Sequence, residues 1–293
     1  MAKSITAATF LFAVLLACPW PPRCNAAEVL VVADTRLKPV TDILAGLKKT
    51  LRASLKICPP DDVKGALQRM VQREEARVVI ALGHEALNEA LRLPPAIPVI
   101  YGLVVTPAAS SRPNTAGFYM ATPAMEYVDL VNTYLQSIKK IAVVGSWEQL
   151  NILAADATQQ TVTYNVRNAF ELVNTLRQIE TVNAIMLLPD ASLLTSTAME
   201  EAYLLSFRRG IPLLGISERQ VREGALLALV VDMVQMGRQM GEFAAKAIRG
   251  GSFGQPPPSP PRSFDLYVNT NTARKMGIHL PNEMLRMARR TYP

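Results

Sequence analysis

The chain has 293 residues, 49% hydrophobic and 19% charged, with 31 Lys and Arg against 24 Asp and Glu. That balance excludes a globally disordered chain and leaves room for one large domain or two of ordinary size. The net charge of +7 is spread along the sequence, apart from Arg286, Arg289 and Arg290, so no nucleic-acid partner is expected.

At the N-terminus, Lys3 precedes an uncharged stretch from Ser4 to Cys18. Pro19, Pro21 and Pro22 follow, then Cys24-Asn25-Ala26-Ala27. A positive start, a short apolar run, a breaker and small residues read as a secretory signal over residues 1–26. The apolar run is short for a membrane span. Cleavage after Ala26 or Ala27 would release a soluble protein and remove Lys3 and Arg23, lowering the charge by two to +5. "VLLAC" (14–18) resembles a lipobox and offers a second route, with Cys18 lipidated and held at the membrane. Both routes place the protein in the periplasm or on the extracytoplasmic face. The first leaves Cys58 alone; the second leaves Cys24 and Cys58 able to pair.

Apolar runs then alternate with amphipathic helical patterns. "VLVVAD" (29–34) leads into "PVTDILAGLKKTL", and "SLKIC" (54–58) into "DDVKGALQRMVQREE". "VVIALG" precedes "HEALNEAL", and "IPVIYGLV" (97–104) follows. The second half repeats the scheme with "KIAVVGS" (140–146), "TVTYNV" (161–166), "NAIMLLPD" (183–190), "IPLLGIS" (211–217) and "ALLALVVD" (225–232). Continuous apolar strands followed by helices predict parallel sheets covered on both faces. So many strands predict two similar α/β lobes in tandem. Capping boxes are expected at Ser146–Gln149, Thr197–Glu200 and Ser217–Gln220, and Thr122-Pro123 puts a cap before a proline at the first helical position. "VVTPAASSRPNTAG" (104–117) and the proline-rich "GGSFGQPPPSPPR" (250–262) read as linkers. The strand-like "SFDLYVN" after the second predicts that the chain crosses back between lobes.

"GGSFG" (250–254) matches the nucleophile elbow in spelling only, because a helix precedes it and a proline-rich loop follows. Neither phosphate-binding nor dinucleotide-binding glycine motifs occur, and two histidines, His84 and His279, exclude a histidine-based metal cluster. No cofactor and no metal are expected, and His279 reads as an ordinary surface or packing residue. The candidates gather where α/β folds bind ligands, outside the carboxyl ends of strands. They are Asp34, Gly83, His84, Tyr101 and Thr106 in the first half, and Ser146, Trp147, Asp190, Ser217 and Asp232 in the second. Free N–H groups after Gly83, Ser146 and Ser217 could take an anion, an Asp an amine, and Trp147 or Tyr101 a ring. Ser at a helix start also reads as a simple cap, and a strand-end Asp as a turn residue.

The sequence resembles the periplasmic substrate-binding proteins of ABC transporters, in the branch that includes amino-acid binders. "VVIALGHEAL", "IPVIYGLVVTP", "AIMLLPDASLL" and "IPLLGISERQVREGALLAL" carry the resemblance, with "MGRQMGEFAAKAIRGG" and "LYVNTNTARKMGIHLPNEML" near the C-terminus. It implies a type I periplasmic binding protein-like fold of two Rossmann-like lobes joined by a multi-crossing hinge. Lobe 1 would hold residues 27–121 and about 233–262, lobe 2 residues 122–232 and about 263–275, with 276–293 as a C-terminal segment. It also implies a monomeric, non-catalytic receptor that closes on a small solute, an amino acid or similar small organic molecule, and docks on a membrane permease. The family's usual glycine-rich stretch before the first crossing is abbreviated here to "RPNTAGFYM", and Gly83-His84 stands where Gly-Thr or Gly-Ser is common. These departures fall on ligand-facing positions and motivate a second reading, an exported ligand sensor or partner-binding protein that kept the fold without transport. An α/β enzyme is a third reading, against which stands the lack of a nucleophile–base pair.

Overall fold

The computed structural model describes residues 28–107, 111–155, 158–254 and 256–293. Residues 1–27, with Cys18, Cys24 and the stretch expected to be a secretory signal, lie outside the described residues. Two sheets carry the fold.

The first is built from β1 (Val29–Val32), β2 (Leu55–Cys58), β3 (Val78–Leu82), β4 (Val99–Val104) and β5 (Thr115–Tyr119), ordered β2-β1-β3-β4-β5 and parallel throughout. Its helices are α1 (Lys38–Thr50), α2 (Pro60–Val63), α3 (Leu67–Arg73) and α4 (His84–Ala90). β1 and β3 are buried along their whole length, which is why they read as unbroken apolar runs; β5 is buried as fully but carries Thr115 and Gly117.

The chain then passes to α5 (Ala124–Tyr134), which packs on the second sheet. That sheet takes β6 (Ile141–Gly145), α6 (Trp147–Leu153), β7 (Thr161–Asn165), α7 (Ala169–Gln178), β8 (Ala184–Leu187) and α8 (Ser196–Arg209). It continues with β9 (Leu213–Gly215), α9 (Glu218–Glu223) and β10 (Leu227–Val231). Next comes α10 (Met233–Ile248), which returns to the first sheet and packs against α1. β11 (Phe264–Asn269) crosses again and joins β10 antiparallel. α11 (Thr270–Lys275), α12 (Asn282–Met287) and β12 (Arg290–Tyr292) finish the chain, and the second sheet runs β12-β11-β10-β9-β8-β6-β7. The chain therefore passes between the sheets three times, after β5, after β10 and before β11. We call the two bodies lobe 1 and lobe 2.

α1 and α10 meet more closely than side chains normally allow. A Cβ on Gly46 would stand 2.0 Å from the Val234 carbonyl oxygen, and one on Gly237 2.1 Å from that of Ile43. Each helix buries one stripe, Val40, Ile43, Leu44 and Leu47 against Met236, Met240 and Ala244. This contact makes α10 part of lobe 1 although it follows a strand of lobe 2. At the crossings, the Thr122 hydroxyl donates to the Leu229 carbonyl at 2.9 Å. The fully buried Tyr127 hydroxyl donates to Gly215 O at 2.6 Å and accepts from Leu229 N–H at 3.2 Å.

Several local expectations need correction. The stretch 104–117 is not all linker, since Thr115–Tyr119 forms β5. Its signal is weak because Gly117 leaves room for the Tyr101 ring, whose nearest atoms would lie 2.2 Å from a Cβ there. α8 starts two residues early, capped by Thr195, which accepts from Ala198 N–H. Thr122 is not a cap; Pro123 holds that position. Ser146 does not close a capping box, because Gln149 is buried and its amide donates to Pro189 O. Ser217 does cap α9 by accepting from Gln220 N–H, and Gln220 reaches back to Ile216 N–H at 2.7 Å. Residues 250–254 have neither a strand before them nor a helix after them.

Candidate functional site

The carboxyl edges of the two sheets carry the candidate residues. On lobe 1, Asp34 follows β1, Gly83 and His84 follow β3, and Thr106 follows β4, three neighbouring strands. On lobe 2, Asp232, Ser217, Asp190 and Ser146 follow β10, β9, β8 and β6, again neighbours in the sheet. Each set is contiguous along its edge because parallel strands all end on the same side.

Asp34 is held by its own loop. Its carboxylate accepts the Arg36 backbone N–H at 3.0 Å and two guanidinium contacts at 2.8 Å. Those bonds, the side-chain pair foremost, hold its pKa at about 2. Arg36 was not legible as a site residue, although an acidic residue two positions before an Arg in a strand-end loop is a usable signal. Gly83 has φ +96°, a conformation that a side chain would strain, and a Cβ there would meet open space. His84 is exposed at the start of α4, and His279 is exposed as well. Thr106 is half-buried in the bend after β4. Tyr101 differs from the rest. It is 3% exposed and belongs to the apolar core under β4, so this structure does not present its ring at the edge.

On lobe 2 the structure brings Ser146, Asp190 and Trp147 together. Burial pushes the Asp190 carboxyl up, but bonds from the Ser192 hydroxyl at 2.6 Å, its N–H at 2.9 Å and the Ser146 hydroxyl outweigh it and leave the pKa lowered. Trp147 stands beside them, 68% exposed. Gln149 and Ser192 were not legible in advance; both act through the turn after β8, more than 40 residues from β6. The Oε1 of Gln149 is buried without a hydrogen-bond partner among the described residues. Ser217 spends its hydroxyl on the cap. Asp232 caps α10, accepting from Val234 and Gln235 N–H at 2.9 and 3.1 Å. α4, α6 and α9 are only seven, seven and six residues long, so their starts are weaker anion seats than the sequence led us to expect.

Four large apolar side chains are exposed at the same edges: Leu37 after β1, Val105 after β4, Trp147 after β6 and Phe170 in the first turn after β7. Where the lobes meet, a cavity of about 570 Å³ is lined by Lys38 and Asp42 of α1 on one side. Glu218, Asp232, Asp265, Arg289 and Arg290 line the other side. Arg289 pairs with Asp265 at 3.1 Å, Arg290 with Glu218 at 3.5 Å and Lys38 with Asp42 at 2.6 Å, so of the charges lining the cavity all but the helix-capping Asp232 are paired within their own lobe. Among the described residues no group of three or more His, Cys, Asp or Glu could hold a metal, and no helix is long and apolar enough to cross a membrane. Cys58 is buried and free, and burial raises its thiol pKa.

The family model described as ABC transporter substrate binding protein matches residues 65–292. No curated protein matches the sequence. Among solved structures, a conserved domain protein from Vibrio cholerae is 21% identical with a TM-score of 0.57, covering 91% of this chain and 99% of that one. The ABC domain in complex with L-Trp from Streptococcus pneumonia is 17% identical with a TM-score of 0.53, covering 90% and 98%. The ligand-free, open structure of a substrate binding protein with adhesive properties from Clostridium difficile is 13% identical with a TM-score of 0.65, covering 90% and 98%. At these identities the likeness speaks for the fold.

Proposed function

This chain belongs to the ABC transporter substrate binding protein family, and from that premise we propose that the carboxyl edges of its two lobes form the seat of a small organic solute of the amino-acid class. Its role is ligand binding for an ABC importer; the family match over residues 65–292 carries that conclusion. The proposed seat takes Asp34, Gly83, His84 and Thr106 from lobe 1 and Ser146, Trp147, Asp190, Ser217 and Asp232 from lobe 2. Tyr101 would line it only from behind, through β4.

The chemistry supports an ampholyte with an apolar body. Asp34 and Asp190 keep their charge at any ordinary pH and suit an ammonium group. Arg36 is exposed beside Asp34 and suits a carboxylate. Leu37, Val105, Trp147 and Phe170 leave apolar surface in water that closure would cover. The L-Trp held by the pneumococcal protein belongs to the same class. The three crossings between sheets suit hinge closure. Lys3, the apolar run to Cys18 and Cys24–Ala27 support export, either released or anchored through Cys18. We further propose that the chain works as a monomer, without catalysis, and hands its solute to a membrane permease.

Calorimetry against a panel of amino acids and related small organics tests the reading. Saturable binding, with a smaller radius of gyration in solution scattering, is expected. Confirmed binding with an unchanged scattering profile would favour the ligand-sensor reading. No binding across the panel would remove the amino-acid class. Mass spectrometry of protein from its native host should find a start near Ala27 or Glu28, or an acylated Cys18; an intact Met1 would end the export proposal.

A further inference from the structure

We propose that the pole of lobe 2 opposite the cleft edge is a docking surface for an anionic lipid bilayer. α8, α9 and α11 all reach the amino edge of the second sheet, where Leu226 N–H bonds to Leu213 O and Asn269 N–H to Leu226 O. They converge on Gly224. Phe207 Cε2 would lie 3.1 Å from a Cβ at that glycine, and the Thr272 hydroxyl donates to its carbonyl at 3.1 Å. The Lys275 ammonium sits 5.8 Å from the centre of the Phe207 ring.

Two large apolar side chains are open to water here, Leu204 at 43% and Phe207 at 38%. They are three residues apart on one face of α8, with Arg208 beside them. Arg208 shares that face and Lys275 lies over the Phe207 ring, while Arg222 and Arg274 stand in the last turns of α9 and α11; all four are exposed, and none has an ion-pair partner among the described residues. The nearby carboxylates are taken, Glu223 by Arg219 at 2.6 Å and Glu201 by Arg177 at 3.4 Å. A cation in the last turn of a helix complements its dipole, which accounts for one such residue per helix. It does not account for four exposed cations without ion-pair partners among the described residues on three helices that meet at Gly224, two of them beside exposed apolar side chains. An apolar centre with a basic rim fits a surface that is anionic outside and apolar beneath, which is what an anionic bilayer offers. With this pole against the membrane, the carboxyl edge of the second sheet points away from the bilayer. The surface shares no residue with the proposed solute seat, so the two proposals fail independently.

Co-sedimentation with lipid vesicles tests it, using the purified chain as its host processes it. Vesicles of phosphatidylglycerol mixed with phosphatidylcholine are compared with pure phosphatidylcholine at low and physiological salt. A preference for the anionic vesicles that weakens with salt is expected. Replacing Arg208, Arg222, Arg274 and Lys275 together by Gln should lower partitioning at least tenfold. A charge-matched variant on lobe 1, with Lys48, Lys49, Arg52 and Arg77 replaced by Gln, should change it less than twofold. Leu204→Ser with Phe207→Ser should weaken binding at unchanged charge. If circular dichroism shows the fourfold variant unfolded, Arg222→Gln with Arg274→Gln gives the same reading at a smaller loss. Equal loss in the lobe 1 and lobe 2 variants, or no preference for anionic vesicles, would overturn the proposal. Binding to immobilised polyglutamate but not to vesicles would also overturn it, in favour of an acidic protein partner.

Discussion

Gly237→Ala tests the claim that α10 belongs to lobe 1 through backbone contact. The added methyl would stand 2.1 Å from the Ile43 carbonyl oxygen, 2.8 Å from its carbon and 2.9 Å from the Ile43 Cα. An ordinary carbon–oxygen contact lies near about 3.3 Å, so the helices must part by roughly 1 Å. A gap of that size forfeits about a quarter to a half of each dispersion contact along the seam, where Ile43 and Leu47 meet Met236 and Met240. The overpacking cost is about 1–3 kcal/mol, and a carbonyl oxygen cannot rotate away, which puts this site toward the upper end. Ala returns about 1 kcal/mol as a better helix former. The net loss is then about 1–2 kcal/mol, and the melting temperature should fall by about 2–8 °C in a chain of this size. Gly241→Ala is the control. Its methyl would meet the Thr50 hydroxyl at 2.2 Å, a side chain that can swing aside, so its stability should stay close to the parent's. Thermal melts followed by circular dichroism compare the two. A Gly237→Ala protein as stable as the parent, or less perturbed than Gly241→Ala, would refute the reasoning.

Three further outcomes are expected. Trp147→Ala, made in a Trp20→Phe background, should leave stability within about 0.5 kcal/mol because the side chain is exposed, and should weaken solute binding by about 1–3 kcal/mol; equal affinity by calorimetry would remove Trp147 from the seat. Tyr127→Phe strips Gly215 O and Leu229 N–H of their buried partner and should cost about 1–3 kcal/mol in denaturant titration, with no cost arguing against these bonds. Asp34 has a folded pKa lowered from 3.8 to about 2, so its contribution is present above the unfolded value and is lost as pH falls toward 2. A carboxyl resonance followed by NMR should therefore still be ionised at about pH 3, and Arg36→Ala should return its midpoint to the ordinary carboxylate range; an unmoved midpoint would break the assignment to Arg36.

Some of this protein was legible in the amino-acid order alone. Ten of the twelve strands among the described residues coincide with runs that could be read directly; β1, β3, β6 and β8 are apolar and buried at every position, whereas the edge strand β7 was legible from its β-branched and aromatic residues. The Ser217 cap was legible for the same kind of reason, since a capping side chain reaches only two or three residues along its own chain. So was the gathering of candidate residues at strand ends, which follows from the strand–helix alternation itself. The elements that could not be read depend on partners far away. β5 is apolar only in part and is a strand because Gly117 lets the ring of Tyr101 lie across it. β12 is three residues of exposed edge, held by pairing with β11. Ser146 looked like a cap, but Asp190 outbids the helix for its hydroxyl, and Gln149 is drawn to Pro189. Tyr101 lies at the end of an apolar run like a rim residue, and the packing of β4 turned it into core. Propensity and capping act within one turn of chain. Sheet order, the choice between competing hydrogen-bond partners and the facing of an aromatic ring are settled by contacts 16 to 107 residues apart, and those exist only once the lobes have formed.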